Sequence, residues 1–203
     1  MSYEKLKRNN EREGIHFRPA RREESRVIAA LYRISSDGVA DYIWTCLAQA
    51  GEDVLDVGAR RYARKNTDFS YENVTLALVN GRIAGMIAAY VIGPRATDAP
   101  DDVDPVLAPY MKLEQPNSLY VAGMALFPEF RHQGIGTRLL ERAAENARAR
   151  GLRELSLIVF EQNAGAKRLY ERSGFREIRR EPIVPHPLIR HDGDALLMVR
   201  RIP

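Results

Sequence analysis

Eight residues, Phe130-Arg131-His132-Gln133-Gly134-Ile135-Gly136-Thr137, hold the densest chemical pattern in the chain. They lie between an apolar run, Leu119 to Phe127, and an amphipathic run, Thr137 to Arg150. Two glycines spaced by one residue let a backbone turn tightly and approach a ligand without side-chain clash. The amides that open a helix lack internal partners and carry partial positive charge, so such a turn suits a phosphate. Arg131 and Arg138 add fixed positive charge. The plain alternative is a strand-to-helix turn that binds nothing. A dinucleotide fingerprint would need a third glycine where Leu139 stands, and an NTPase phosphate loop would need Gly-Lys-Ser or Gly-Lys-Thr.

The surrounding pattern supplies elements to position this turn. Ile15 to Arg18 reads as a short strand, and Glu23 to Ser35 as a helix carrying Val27, Ile28, Leu31 and Ile34. Asp37-Gly38 breaks it. A second helix spans Val39 to about Ala50, with Val39, Tyr42, Ile43, Cys46 and Ala50 on its apolar face and Trp44 directed away. A third runs from Val54 to Lys65 and ends in the basic run Arg60, Arg61, Arg64 and Lys65, where the helix terminus favours positive charge. Val74 to Val79 and Arg82 to Ile92 flank Asn80-Gly81, a dipeptide suited to a two-residue type I′ hairpin. Gly93 to Asn117 is a long acidic connection holding Asp98, Asp101, Asp102, Asp104 and Glu114. Its charge would steer a cationic molecule or simply form solvated surface.

Downstream of the glycine turn, the helix Thr137–Arg150 presents Leu139, Leu140, Ala143, Ala144 and Ala147 on one face, and Gly151 stops it. Leu155 to Phe160 is a strand, and Ala164 to Arg172 a short helix with Asn163 as N-cap. Phe175 to Ile183 and Ala195 to Arg200 are strands around a Pro-rich connection. The expected fold class is α/β (α+β), one domain over residues 15–203 with a mixed sheet. Residues 1–14 are dense in charge and read as a flexible tail.

The 203 residues suit one domain, and 45% hydrophobic with 29% charged residues excludes wholesale disorder. The lone Cys46 excludes an internal disulfide and reads as a small buried hydrophobe. The longest uncharged stretch, Gln115 to Pro128, is shorter than the about 20 apolar residues a membrane-spanning helix needs. With no secretory signal at Met1 to Gly14, a cytoplasmic protein is expected. A net charge of +4 is too mild to call for nucleic acid. His186 and His191, near Asp192 and Asp194, lack metal-ligand spacing, so no metal is expected.

Val121 through Phe175 resembles the Gcn5-related N-acetyltransferases. The resemblance rests on Arg-x-x-Gly-x-Gly at Arg131 to Gly136 after a strand ending Leu126-Phe127-Pro128. Glu161-Gln162-Asn163-Ala164, Leu169-Tyr170-Glu171 and Gly174-Phe175 follow in order. It implies a mixed, splayed central sheet flanked by helices and acetyl-CoA as cosubstrate. The amides of His132, Gln133, Gly134, Ile135, Gly136 and Thr137 would take the pyrophosphate, with the Arg131 charge beside them. Backbone groups of Met124, Ala125 and Leu126 would take the pantetheine arm as a neighbouring strand would. Gly123 would either open a bulge that splays the sheet or admit a close neighbour. Asn163 would lie along the cofactor arm, unless it only caps its helix. Tyr170 would donate a proton to the departing thiolate, unless it is one of the core tyrosines.

Several members of that family carry a Glu within the second cleft strand, but Leu155 to Phe160 contains no acid. Glu161, Glu114 and Glu129 are the nearby candidates for a base, and the sequence does not choose among them. The expected activity is direct acetyl transfer to an amine on a small molecule or peptide. A non-catalytic acyl-CoA-binding module is the alternative. Trp44 would line the acceptor site or pack under the long connection. The acceptor and oligomeric state stay open, a homodimer being compatible with the chain.

Overall fold

The computed structural model describes residues 14–94 and 103–203. Seven strands form one sheet in the order β1-β2-β3-β4-β5-β7-β6. They are β1 (Ile15–Pro19), β2 (Val74–Val79), β3 (Arg82–Ile92), β4 (Ser118–Leu126), β5 (Glu154–Phe160), β6 (Arg176–Pro182) and β7 (Asp194–Arg201). Every neighbouring pair is antiparallel except β4 with β5. Six α-helices accompany them: α1 (Ser25–Ser35), α2 (Val39–Leu47), α3 (Val54–Tyr62), α4 (Ala108–Lys112), α5 (Ile135–Ala149) and α6 (Ala164–Arg172). The expected mixed sheet flanked by helices is what forms. No helix among the described residues is long and apolar enough to cross a membrane.

The β2–β3 turn takes the shape its dipeptide dictates, with Asn80 at φ 49° and Gly81 at φ 78°. Helix α5 buries Leu139, Leu140, Ala143, Ala144 and Ala147 against strands that include Leu119, Val121, Leu155 and Leu157. Each buried leucine contributes roughly 1.5–3 kcal/mol. Gly151, at φ 70°, ends the helix, and the Leu152 amide donates back to the Ala147 carbonyl at 2.9 Å. On the other face of the sheet α1 buries Ile28, Ala29, Leu31 and Tyr32 with Leu76 and Met86.

Helix α2 corrects the expectation for its faces. Ala40 and Trp44 are its buried residues, Trp44 at 1% exposure, whereas Cys46 is exposed. The cause is Gly58 on α3: a Cβ there would meet three Trp44 ring atoms at 2.5–2.7 Å, so the missing side chain makes the socket for the indole. With Trp44 turned inward, Cys46 is left exposed, while Val39 packs against a separate cluster that includes Phe160 and Leu197. Two helices are also shorter than expected. α2 stops at Leu47 rather than Ala50, and α3 stops at Tyr62 rather than Lys65. The long connection is less bare than its composition suggests, because α4 forms within it after an Asp104 side chain accepts from the Val106 amide at 2.8 Å. Asp98, Asp101, Asp102 and the tail 1–13 lie outside the described residues.

Candidate active site

The site begins where two strands part. β4 and β5 pair through only three residues, Leu119 with Leu155, Tyr120 with Ser156 and Val121 with Leu157. At that end Ser118 and Ser156, both fully buried, share a 2.7 Å hydrogen bond across the strands. Beyond it β4 stays with β3 and β5 stays with β7, so a gap opens between them. The pairing of β3 with β4 shifts register between Ala88 and Ala89, opposite Gly123 and Val121, which leaves Ala122 as the extra residue of a bulge. Gly123 also admits a close neighbour, because a Cβ there would lie 2.7 Å from Ser35 Oγ and 2.8 Å from Tyr32 Cδ2. The close-neighbour reading is the one Gly123 fulfils; the bulge falls on the adjacent Ala122. The bulge turns β4 while α1 presses onto its back.

A cavity of about 1040 Å³ occupies the gap. That volume is at the upper end of the 300–1,000 Å³ typical for small-molecule sites, room for a cofactor and a second molecule. Met124, Ala125 and Leu126 line it from β4, and Ile158, Val159 and Phe160 from β5. Arg131, His132, Gly134, Ile135, Gly136 and Thr137 line one end. No amide of residues 132–137 donates to a protein acceptor among the described residues. His132 and Gly134 take positive φ, 63° and 76°, which bends the loop into α5. A Cβ on Gly134 would meet nothing within 4 Å, so the loop faces open space there. Gln133 contributes no lining, and its side-chain amide donates to the Glu129 carbonyl at 3.2 Å. Free amides at a helix start beside Arg131 form a cradle of the right chemistry for a diphosphate.

Tyr170 closes the other side of the gap. It comes from α6, is 8% exposed, and packs edge-on to Phe175 with centroids 5.8 Å apart. No described side chain hydrogen-bonds its hydroxyl. Burial, with a smaller contribution from Asp37, pushes the phenol up to about 12. It therefore stays protonated across the neutral range. Asn163 is both cap and cavity wall: its Oδ1 accepts from the Ala166 amide at 3.1 Å, and its Nδ2 donates to Asp37 Oδ2 at 2.9 Å. His191 Nε2 stands 3.2 Å from the same Asp37 oxygen.

The three acids left open by the sequence separate cleanly. Glu161 is on the surface 3.3 Å from Arg180, and Glu129 is 3.7 Å from Arg82, and neither lines the cavity. Glu114 does line it. Burial, then the nearby Asp68 charge, raises its carboxyl above the usual range. Trp44 touches the cavity while its ring packs in the core beside Tyr32 and Gly58, not under the long connection as its second expected setting had it.

Several cavity residues carry no functional signal in the sequence, where Asp37 marks only a helix break. Tyr32, Phe69, Tyr90 and Tyr120 form an edge-to-face chain, with neighbouring centroids 5.9, 5.6 and 5.5 Å apart in that order. Arg61 was read as one more charge in a helix-terminal run. Aromatic residues within the strands Arg82–Ile92 and Leu119–Phe127 were a visible signal for part of this set. Nothing local in the sequence separates Arg61 from Arg60.

Comparison with known proteins agrees with this geometry. Residues 39–175 match the model of the Acetyltransferase (GNAT) family. A mycothiol acetyltransferase of Beutenbergia cavernae is 38% identical over 82 residues, 38% of this chain and 27% of that protein. An uncharacterised N-acetyltransferase of Methanocaldococcus jannaschii is 48% identical over 50 residues, 25% of this chain and 22% of that one. The chain thus spans well under half the length of these curated relatives. Among solved structures, an N-acetyltransferase from Staphylococcus aureus superposes with a TM-score of 0.62 at 17% identity, covering 91% of this chain and 99% of that one. An acetyltransferase from Salmonella typhimurium, solved with acetyl-CoA, gives 0.58 at 17% identity over 94% and 95%. The chain belongs to the GNAT family of acetyltransferases, whose cosubstrate is acetyl-CoA.

Proposed function

We propose that this protein transfers an acetyl group directly from acetyl-CoA to an amine. One observation carries the reading: the parting of β4 from β5 leaves a single cavity lined by both the phosphate-type loop, at His132 and Gly134 to Thr137, and the buried Tyr170. Acetyl-CoA supplies a thioester whose carbonyl carbon accepts the amine nitrogen as the carbon–sulfur bond breaks. The loop amides, with Arg131, hold the diphosphate. Unpaired backbone on Met124, Ala125 and Leu126 lies along the open edge of β4, where an extended arm can add as a strand. Amides at the Ala122 bulge sit near the point of parting and can face a developing oxyanion. Asn163, tied to Asp37, forms the wall by the thiol end.

Tyr170 donates its proton to the leaving sulfur. Glu114 takes the proton the amine must shed, directly or through a water. A lysine-like ammonium loses that proton at a cost of about 4 kcal/mol at pH 7, so a carboxylate of raised affinity for protons assists. Placing both reactants in one cavity supports attack without a covalent enzyme intermediate.

The test has two arms. Coenzyme A should raise the thermal unfolding midpoint, and acetyl-CoA should release thiol with a panel of amines, each product heavier by one acetyl group. No stabilisation by coenzyme A would discard the reading, and stabilisation without turnover would favour a binding module.

A further inference from the structure

The half of the cavity away from the phosphate loop carries charge of both signs. Arg61 lies in the last turn of α3, half-buried, with its guanidinium carbon 4.9 Å from the Phe69 ring centroid. Its neighbours in the run are engaged elsewhere: Arg60 pairs with Glu52, and Arg64 donates to the Arg61 carbonyl at 2.9 Å. Arg61 itself has no carboxylate partner among the described residues. A half-buried guanidinium without a counter-ion carries part of its desolvation cost uncompensated, so an anion entering the cavity would be favoured beside it. The adjacent Tyr62 gives a second sign of the same kind. It is 1% exposed, borders the cavity, and its hydroxyl has no hydrogen-bond partner. The backbone carbonyls at the end of α3 soften the cost of Arg61 but leave its donors unused.

Opposite in sign are Glu114 on the cavity wall and Asp68 beside it. Arg61, Tyr90 and Glu114 all line this one cavity. Between them the wall is aromatic, formed by Tyr32, Phe69, Tyr90 and Tyr120.

From this arrangement, and given the acetyl-transfer reading above, we infer that the acceptor is an amino carboxylate with an apolar body: its carboxylate meets Arg61 and the Tyr62 hydroxyl while its amine faces Glu114. A free amino acid is the simplest such molecule. A plain amine would leave Arg61 uncompensated, and a protein N-terminus has no carboxylate beside its amine.

The inference is tested on the full chain saturated with coenzyme A, so that loss of cofactor binding is seen separately. Phenylalanine, leucine and γ-aminobutyrate are compared with their amides and decarboxylated amines, by thermal shift and by thiol release from acetyl-CoA. At least one amino acid should bind and react with kcat/KM at least about tenfold above both of its carboxylate-free partners. Arg61→Met, which preserves packing on Phe69, should remove that preference by raising KM for the amino acid. It should leave the shift produced by coenzyme A intact, and Arg61→Lys should retain part of the preference. Equal or better use of the decarboxylated amines overturns the inference while leaving acetyl transfer standing. So does a preference that survives Arg61→Met. Absence of any shift with coenzyme A overturns both.

Discussion

Removing one oxygen atom tests the role given to Tyr170. The phenol is held at about 12 by burial, while a thiol of the ordinary kind lies near 8.5, so complete proton transfer in water would run uphill by about 5 kcal/mol. In the proposed role the hydroxyl would therefore work mainly by sharing its proton with the sulfur as charge develops there. A hydrogen bond to an ionised partner is worth about 1.5–3 kcal/mol, which corresponds to roughly 10- to 150-fold in rate. Tyr170→Phe keeps the ring and its 5.8 Å contact with Phe175, so the fold and the grip on coenzyme A should stay within a few fold. Steady-state thiol release should show kcat reduced within that range and the coenzyme A dissociation constant barely changed. The wild-type rate should also show no decline near pH 10, since the phenol remains protonated there. Equal turnover by the variant, or a basic limb at pH 10 that the variant abolishes, would refute the reasoning.

Glu114→Gln should lower kcat/KM by about 100-fold or more without lowering the unfolding midpoint. The sign follows from its raised proton affinity: the folded state holds this proton longer than the unfolded chain, so stability is lost as pH rises through the folded value, and glutamine removes that loss. A less stable variant at pH 7, or one of unchanged activity, would count against the carboxylate. Gly134→Val forces a branched side chain into φ 76° at the loop, and calorimetry should find coenzyme A bound at least about tenfold more weakly. Gly58→Val drives a side chain into the Trp44 ring and should cost about 1–3 kcal/mol, read as a fall of roughly 2–4 °C per kcal/mol in the melting temperature. An unchanged melt would mean that the indole socket is loose.

What the sequence made legible follows from how local each signal was. Asn80-Gly81, the Leu139-to-Ala147 stripe and the Gly134/Gly136 turn act within a few residues, and the structure forms the hairpin, the buried face and the strand-to-helix turn they predict. The orientation of α2 was not local. Its apolar residues occupy more than one face, and a glycine fourteen positions from Trp44 decides which face turns in. The part of the cavity lined by Arg61 and Glu114 is hidden in the sequence for a related reason. Arg61 and Glu114 are ordinary surface-type residues in sequence, and only the meeting of α3 with the approach to β4 puts them around one space. The choice among Glu114, Glu129 and Glu161 likewise depended on which carboxylates already had arginine partners, something no spacing reveals.

The three-residue seam between β4 and β5 has a mechanical meaning. Four strands lie on one side of it and three on the other, and the Ser118–Ser156 bond pins them at one end like the rivet of a pair of tongs. A molecule that bonds along the open edge lengthens the seam and stiffens both jaws against each other. Amide exchange in the second half of β4 should then slow far more on cofactor addition than exchange in β2, so the cosubstrate completes the architecture as well as the reaction.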